Sequence, residues 1–314
     1  MDSHTDSDSQ NFDVAIIGGG PAGLSAGIWL GRFLHDVVVV DAGDPRNWRA
    51  REVHGFLGAA NIRPAELRRR GQLACRQYGV TLMETHIDQA RVLGKDSFEF
   101  VTDQGKKFLS RRVLLATGIR DNWPDIPDLK RCFGISVHTC PNCDGYESRL
   151  TETAVIGAGH RAVSVARAMK TWTDHITIYT HGEEPIFSDV EVEALRRMEI
   201  GVETSPISGI EEYHRHLRAI ELASGRNRPC EHLFLAMGQH PRDRMVDQLG
   251  CQTDDHGFVS VDSHHHTSVW NVFAAGDITP GAQMALRAAA GGAEAALSIH
   301  HSLIPPERRV HRQC

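Results

Sequence analysis

The sequence predicts an α/β protein built from two doubly wound, Rossmann-like nucleotide-binding domains, and two observations lead to this prediction. An apolar strand at residues 14–17 runs into the turn GGGPAG, a helical stretch and a second strand, which ends at Asp41. The same order of strand, glycine-rich turn, helix and strand recurs at residues 154–179, around the turn GAGHRA. Two such units in one chain indicate internal duplication.

The division into domains follows from length and from the order of these units. A chain of 314 residues with 41% hydrophobic content exceeds the usual size of one domain. The apolar strand at 271–277 and the Ala-rich helical stretch at 283–299 resemble neither unit and are assigned to the first domain. We therefore expect a discontinuous first domain, residues 1–118 and 246–314, with a central domain inserted at residues 119–245.

Composition excludes several classes of function. A net charge of -6 and the absence of a Lys/Arg run argue against nucleic-acid binding, which needs clustered positive charge. The sequence contains no apolar run of about 18 residues, so it predicts no membrane span. The polar, acidic residues 1–10 resemble a disordered lead-in rather than a signal peptide. The sequence therefore predicts a cytoplasmic protein that binds neither membrane nor nucleic acid.

The first glycine-rich turn has the features of a dinucleotide site. Its residues can supply a tight turn, close backbone approach to a pyrophosphate and close helix packing, at a helix N-terminus that favours negative charge; they are Gly18, Gly20, Pro21, Ala22 and Gly23. Asp41 stands where an acid accepts a hydrogen bond from a ribose hydroxyl. The strand, helix and acid together favour a nucleotide site over an unliganded turn.

The second turn carries Gly157, Gly159 and Ala162, but its surroundings differ. The bulky His160 and Arg161 occupy the turn, and Glu183 and Glu184 follow the next strand, where acids repel a 2′-phosphate. The sequence thus argues against NADPH. A functional NAD(P)H site and a vestigial or repurposed nucleotide fold remain as alternatives.

The pair Cys140 and Cys143 in Cys-Pro-Asn-Cys is either a redox dithiol or half of a zinc site. Zinc needs two further ligands at comparable spacing, and the other five cysteines are isolated in the sequence. We therefore expect a redox dithiol, with Asp144 placed to manage the proton on the thiol. A helix beginning near Cys143 would favour its thiolate.

Histidines and a terminal cysteine offer weaker candidates. Adjacent residues of the run 264–266 point to opposite faces of an extended segment, so a solvated loop is a better interpretation than a metal site. His138 is expected to be an ordinary loop histidine, with assistance in proton transfer as the alternative. Cys314 is expected to be a tail cysteine rather than a third redox thiol.

The chain resembles the low-molecular-weight thioredoxin reductase family in the order and spacing of six motifs, namely GGGPAG, LLATG, CxxCDG, GxGxxA, FLAMGQHP and VFAAGDI. The resemblance implies FAD in the first domain, an NAD(P)-type central domain carrying the dithiol, and a homodimer. It implies that Cys143 is the flavin-side sulfur, Cys140 the interchange sulfur and Asp144 the acid. The FAD contacts that it implies in the later motifs are Ala116, Thr117, Gly118, Gly276, Asp277 and Gln283.

Three departures separate the chain from that pattern. The strand-end HRR motif and its later Arg are replaced by Thr180-His181-Gly182 and Ile186, and the RQA element keeps only Gln283, between Ala282 and Met284. The segments around Asn47 and His54 look more like the related dithiol oxidases, which close disulfides in small natural products. That branch commonly carries His where this chain has Asp144. Asn47, His54 and Met284 are therefore added to the predicted FAD site.

The resemblance implies a disulfide oxidoreductase whose electron direction is open. As a reductase of an external disulfide, in a thioredoxin-like protein or a small molecule, it would take electrons from NADH, an electron-transfer protein or a second flavin in the central domain. As a dithiol oxidase it would need only oxygen as acceptor. A flavin-binding redox sensor is the alternative from another class, and no partner-binding tail or DNA-reading element supports it.

Overall fold

The computed structural model describes residues 10–59, 61–241 and 244–308. Residues 1–9 of the predicted lead-in, and Cys314, lie outside the described residues. The chain clusters into two compact units: unit 1 takes its residues from 1–46, 65–120 and 240–314, and unit 2 from 47–64 and 121–239. Residues 47–64, which the sequence division placed in the first domain, thus cluster with the second unit.

Stretches of alternating strands and helices are interrupted by two runs of consecutive strands in the described chain. The elements up to the second unit are β1 (Gln10–Ile17), α1 (Pro21–Arg32), β2 (Val37–Val40), α2 (Pro64–Gln77), β3 (Thr81–Met83), β4 (Ile87–Gly94), β5 (Ser97–Thr102), β6 (Lys107–Leu115) and β7 (Ile119–Asp121). The next are β8 (Val137–His138), α3 (Pro141–Asp144), β9 (Thr153–Ile156), α4 (His160–Met169), β10 (Ile176–Tyr179), α5 (Asp189–Arg197), β11 (Gly201–Glu203), β12 (Ile207–Tyr213), β13 (His216–Leu222), β14 (Asn227–Pro229) and β15 (His232–Leu235). The last are β16 (Gln239–Pro241), α6 (Met245–Leu249), β17 (Val272–Ala274) and α7 (Ala285–Leu303). Short 3₁₀ helices lie at Leu129–Cys132 and Pro306–Arg308.

Unit 1 is built on a sheet that, among the described residues, has seven strands in the order β3-β2-β1-β6-β5-β4, with β17 also paired to β6. The strands next to β1 are parallel to it, while β4 and β5 form an antiparallel extension. Both faces of β1 are buried, because Val14 and Ile16 pack into one apolar cluster and Ala15 and Ile17 into another. Such two-sided burial is typical of parallel strands covered on both faces.

Helix α7 packs against α1 on one side of this sheet. A Cβ on Gly292 would lie 2.0 Å from the carbonyl oxygen of Ala22, so the small residues of the Ala-rich stretch allow the two backbones to approach closely. The predicted long C-terminal helix is thus present, and it belongs to unit 1.

Unit 2 contains, in the described part of the chain, a five-stranded parallel sheet in the order β11-β10-β9-β15-β8 and a three-stranded antiparallel sheet, β12-β13-β14. Strand β9 is fully buried, with Ala154 and Ile156 in one apolar cluster and Val155 in another. The predicted α/β fold with two Rossmann-like units is confirmed. No helix in the described ranges is long and apolar enough to cross a membrane.

Candidate active site

The dithiol segment follows the edge strand β8 of unit 2. Cys140 is the N-cap residue of α3, Pro141 begins this single turn of helix, and the amide of Cys143 donates to the carbonyl of Cys140 at 3.1 Å. The turn brings the two sulfurs together as a disulfide, with the Cα atoms 5.3 Å apart. The helix includes Cys143 and ends at Asp144 rather than beginning after the pair.

Asp144 is connected to two histidines behind the disulfide. Its Oδ1 lies 3.5 Å from Nδ1 of His138, whose side chain is only 3% exposed. Nε2 of His138 is 3.1 Å from Nδ1 of His232 on the neighbouring strand β15. The expectation of a loop position for His138 is wrong, because Val137–His138 pairs with β15 and carries this side chain into the interior.

These contacts leave one nitrogen of His138 without a hydrogen bond. Among the described residues, Nδ1 of His138 is buried with no hydrogen-bond partner, and the atom that it faces is the Asp144 oxygen. Burial, and to a smaller extent the nearby His138, lowers the pKa of His232 to about 4. His232 is therefore neutral near pH 7 and can exchange a proton with His138.

The remaining cysteines in the described ranges are free and buried, at positions 75, 132, 230 and 251. Burial raises the pKa of Cys75 to about 11 and that of Cys230 to about 12, so neither thiol ionises readily. The same effect raises the pKa of Cys132 and Cys251. Reactive thiol chemistry is thereby confined, among these six cysteines, to the disulfide pair.

The first glycine-rich turn has the shape that a pyrophosphate requires. A Cβ on Gly23 would lie 1.8 Å from the carbonyl oxygen of Gly18, and one on Gly18 would lie 2.3 Å from that of Ala116, so both positions exclude a side chain. On Gly20, by contrast, a Cβ would meet no described atom within 4 Å. Gly20 is the N-cap residue of α1, and no acid stands in the first turn. The first amides of an α-helix have no partner within the helix, so those of α1 are available to an anion.

Further residues of unit 1 fit the FAD that the motifs imply. Oγ1 of Thr117 is buried and has no partner in the described structure, as expected of a group that a bound ligand would satisfy. Gly118 follows it with a φ of 69°. Gly276 lies against Ala22 of α1, and Met284 caps α7 with a side chain that is 43% exposed.

Two arginines that the sequence did not single out contact the predicted FAD residues. Arg68 on α2 forms an ion pair with Asp41, to which its Nε donates at 3.0 Å. Arg46 donates to Oε1 of Gln283 at 3.0 Å and lies 3.4 Å from Oδ2 of Asp277. Arg46 thus contacts two residues that lie 231 and 237 positions further along the sequence.

Asn47 and His54 belong to unit 2, unlike the other predicted FAD residues. The carbonyl of Asn47 accepts from the amide of Ala50 at 2.9 Å. Nε2 of His54 lies 3.7 Å from Oε1 of Glu147, four residues after Cys143. Their assignment to the FAD site remains a prediction.

Side chains of its own unit lie beside the second glycine-rich turn. Ile186 lies within 3.8 Å of the position that a Cβ on Gly159 would take, and its amide donates to the carbonyl of Ala158 at 2.9 Å. Nδ1 of His160 lies 2.7 Å from Oε2 of Glu191, the acid of the capping box of α5. An apolar side chain and a carboxylate thus lie beside this turn.

The histidine run is more ordered than the expected solvated loop. His265 is only 15% exposed, and its ring nitrogens lie near the carbonyl of Ala274 at 3.1 Å and Glu294 at 3.2 Å. Asp262 accepts from the amides of His264 and His266. Among the described residues, no three His, Cys, Asp or Glu side chains are grouped to hold a metal ion.

The fold and this site define a class of protein, the disulfide oxidoreductases with two nucleotide-binding folds. The family model "Pyridine nucleotide-disulphide oxidoreductase" matches residues 12–293. The chain belongs to this family, and within it to the thioredoxin reductase-like flavoproteins. It is therefore an oxidoreductase, as the sequence predicted.

Individual relatives cover most of the chain. Thioredoxin reductase tcpT from Claviceps purpurea is 30% identical over 86% of this chain and 88% of its own length. The crystal structure of a putative thioredoxin reductase, TrxB from Bacillus anthracis, superposes with a TM-score of 0.86 at 29% identity, covering 93% of this chain and 98% of that chain. The structure of HlmI gives 0.88 at 30% identity, covering 93% and 92%.

Proposed function

We propose that this protein passes electrons between a bound FAD and an external dithiol or disulfide, through Cys140 and Cys143. The observation that carries the proposal is the disulfide of this pair, beside Asp144 and its buried partner His138. FAD, when bound, supplies a two-electron carrier. We also propose that residues 1–118 and 246–314 form its binding domain, and residues 119–245 the domain that carries the dithiol.

Disulfide exchange at this pair balances atoms and electrons. A thiolate of a substrate dithiol attacks Sγ of Cys140, the Cys140–Cys143 bond breaks, and Cys143 leaves as a thiolate. The second substrate sulfur then attacks the first, which closes the substrate disulfide and releases Cys140. Two electrons have moved to the protein, one proton remains on Cys140, and the other leaves through a base. Asp144 is the proposed base, and the reverse sequence reduces an external disulfide.

The proposed FAD site uses backbone donors and a few side chains. The turn of Gly18, Gly20 and Gly23 at the start of α1 would hold the pyrophosphate, and Asp41, oriented by Arg68, would accept from a ribose hydroxyl. Arg46 would hold Asp277 and Gln283 in place. The unpartnered hydroxyl of Thr117 supports a ligand in this part of the unit.

We further propose that NADPH is not the electron donor. The positions that would clamp a 2′-phosphate hold Thr180, His181 and Gly182, none of which carries an arginine fork. His181 is also engaged, since its Nδ1 accepts from the amide of Ile207 at 3.0 Å. NADH, an electron-transfer protein or a second flavin stays as the donor of a reductase.

A second candidate function is dithiol oxidation with oxygen as the final acceptor. The observation that favours it is the glycine turn of unit 2, where the apolar Ile186 and the His160–Glu191 pair lie beside the turn and supply no free cation to attract a pyrophosphate. The oxidase needs no nucleotide there, so the central fold would be structural. A cytoplasmic homodimer that acts on a thioredoxin-like protein or a small molecule fits either candidate and belongs to the same proposal.

Anaerobic rapid mixing tests the proposal. The FAD-loaded protein is mixed with dithiothreitol, NADH or NADPH, and the loss of flavin absorbance is followed. We expect dithiothreitol to bleach the flavin in the wild type and in Cys251→Ser, but not in Cys140→Ser. Fast bleaching by NADPH would contradict the proposed donor. Bleaching by dithiothreitol alone, reversed by oxygen, identifies the oxidase, and bleaching by NADH identifies a reductase.

A further inference from the structure

A row of side chains leads from Asp144, the residue after Cys143, into the sheet of unit 2, and its first step joins the Asp144 carboxylate to the buried nitrogen of His138 that has no hydrogen-bond partner among the described residues. It begins at Oδ1 of Asp144, passes 3.5 Å to Nδ1 of His138, and passes 3.1 Å from Nε2 of His138 to Nδ1 of His232. The three residues come from α3, β8 and β15, and the last is far away in sequence. Each histidine offers two ring nitrogens, so a proton accepted on one can be released from the other.

Burial decides which of these groups can reach water. The side chain of His138 is 3% exposed, so water has little access to it, whereas His232 is partly exposed at the start of β15. Asp144 is 22% exposed, and a substrate placed on the neighbouring disulfide would cover it. During exchange, the histidine pair is then the route by which a proton on Asp144 can still leave.

We propose that His138 and His232 form a proton relay that carries the proton of disulfide exchange between Asp144 and solvent. This inference rests on the proposed function, and it concerns the one proton that does not stay on Cys140. When a substrate dithiol is oxidised, Asp144 takes that proton, His138 accepts it on Nδ1 and passes a proton from Nε2 to Nδ1 of His232, and His232 releases one to water. Reduction of an external disulfide runs the same route inward.

The charges around His232 agree with a relay that transfers the proton without retaining it. The titratable side chains that act on His232 are His138 on β8, Asp144 on α3 and His216 on β13. Burial and the two histidines lower its pKa to about 4, whereas Asp144 opposes this effect. A resting His232 is therefore neutral, and two imidazolium ions 3.1 Å apart would repel each other strongly. The pair carries one proton at a time.

Stopped-flow measurement of proton release tests the relay directly. FAD-loaded protein in weak buffer with a pH indicator is mixed with dithiothreitol without oxygen, and both proton release and flavin bleaching are recorded. We expect His232→Leu and His232→Asn to slow proton release roughly tenfold or more, because neither side chain can pass a proton. Added imidazole, which can replace the missing carrier, should restore the rate. His214→Asn, an exposed imidazole that is not among the groups acting on His232, is the matched control and should release its proton at the wild-type rate.

His232→Asn separates a relay from mere support of the fold. Asn can hydrogen-bond His138 from nearly the position of Nδ1 but cannot transfer a proton, so wild-type proton release in this variant would overturn the relay. A slow rate that imidazole does not restore, in a variant with full FAD content, would also overturn it. A wild type that dithiothreitol does not reduce would overturn the proposed function as well. Normal reduction, with unaffected release in both His232 variants, overturns the relay alone.

Discussion

Gly20 allows the FAD-binding interpretation of the first glycine-rich turn to be tested apart from folding. A Cβ at this position would meet no described atom within 4 Å, and the backbone, at φ -78° and ψ -174°, lies in a region that alanine adopts readily. Gly20→Ala should therefore change the free energy of unfolding of the apoprotein by less than about 1 kcal/mol. The added methyl points into the space that the pyrophosphate is proposed to fill.

The expected loss of affinity follows from the backbone donors of α1. Displacing the pyrophosphate weakens one or two hydrogen bonds to a charged group, at about 2 kcal/mol in total, which corresponds to roughly a 30-fold higher Kd for FAD. Titration of apoprotein with FAD, followed by flavin fluorescence, measures this change. Gly94→Ala is the matched control, because a Cβ there also meets no described atom within 4 Å. Unchanged FAD affinity in Gly20→Ala, or a severely destabilised apoprotein, would contradict a pyrophosphate site at Gly20.

Other consequences of the structure are open to equally simple assays. Arg46→Met should raise the Kd for FAD about tenfold, because Asp277 and Gln283 lose a partly buried cation that holds both. The control is Arg120→Met, whose ion pair with Asp44 is exposed and whose Kd for FAD should be unchanged. Equal Kd values for the two variants would contradict this role of Arg46. After reduction of the native protein, iodoacetamide should label Cys140 and Cys143, as measured by peptide mass spectrometry. Cys75 and Cys230 should stay unmodified, since burial raises the pKa of these two thiols to about 11 and about 12. Rapid labelling of Cys75 or Cys230 would show that the labelled thiol is not buried. The pKa of His232 falls from 6.5 to about 4 on folding, so the unfolded chain binds the extra proton, and stability present above pH 6.5 is lost as the pH falls towards 4. Urea titrations should show a shallower loss over this range in His232→Leu, and equal slopes would contradict the assigned pKa.

Local patterns were enough to predict the nucleotide-binding folds. The apolar strands, the glycine-rich turns and the Ala-rich stretch each carry their signal within a few residues, and β2, at Val37–Val40, and α7 appear close to where they were predicted. The disulfide was equally accessible, because a spacing of three residues in one turn brings Cys140 and Cys143 together.

The contacts that the sequence could not predict share a different property, since only the tertiary fold creates them. Arg46 meets Gln283 across 237 positions, and His138 meets His232 across 94. No local pattern distinguishes these side chains from ordinary surface arginines or loop histidines. His138 had one usable signal, its position two residues before Cys140, but its burial depends on the pairing of β8 with β15.

The proposed electron transfer requires that Cys140 and Cys143 form a redox centre in addition to the flavin. Anaerobic titration with dithionite, monitored by flavin absorbance, measures the number of electrons taken up per molecule of FAD-loaded protein. We predict four electrons for the wild type, two for the flavin and two for the disulfide, and only two for Cys140→Ser and Cys143→Ser. The same uptake in the wild type and in both variants would contradict the account.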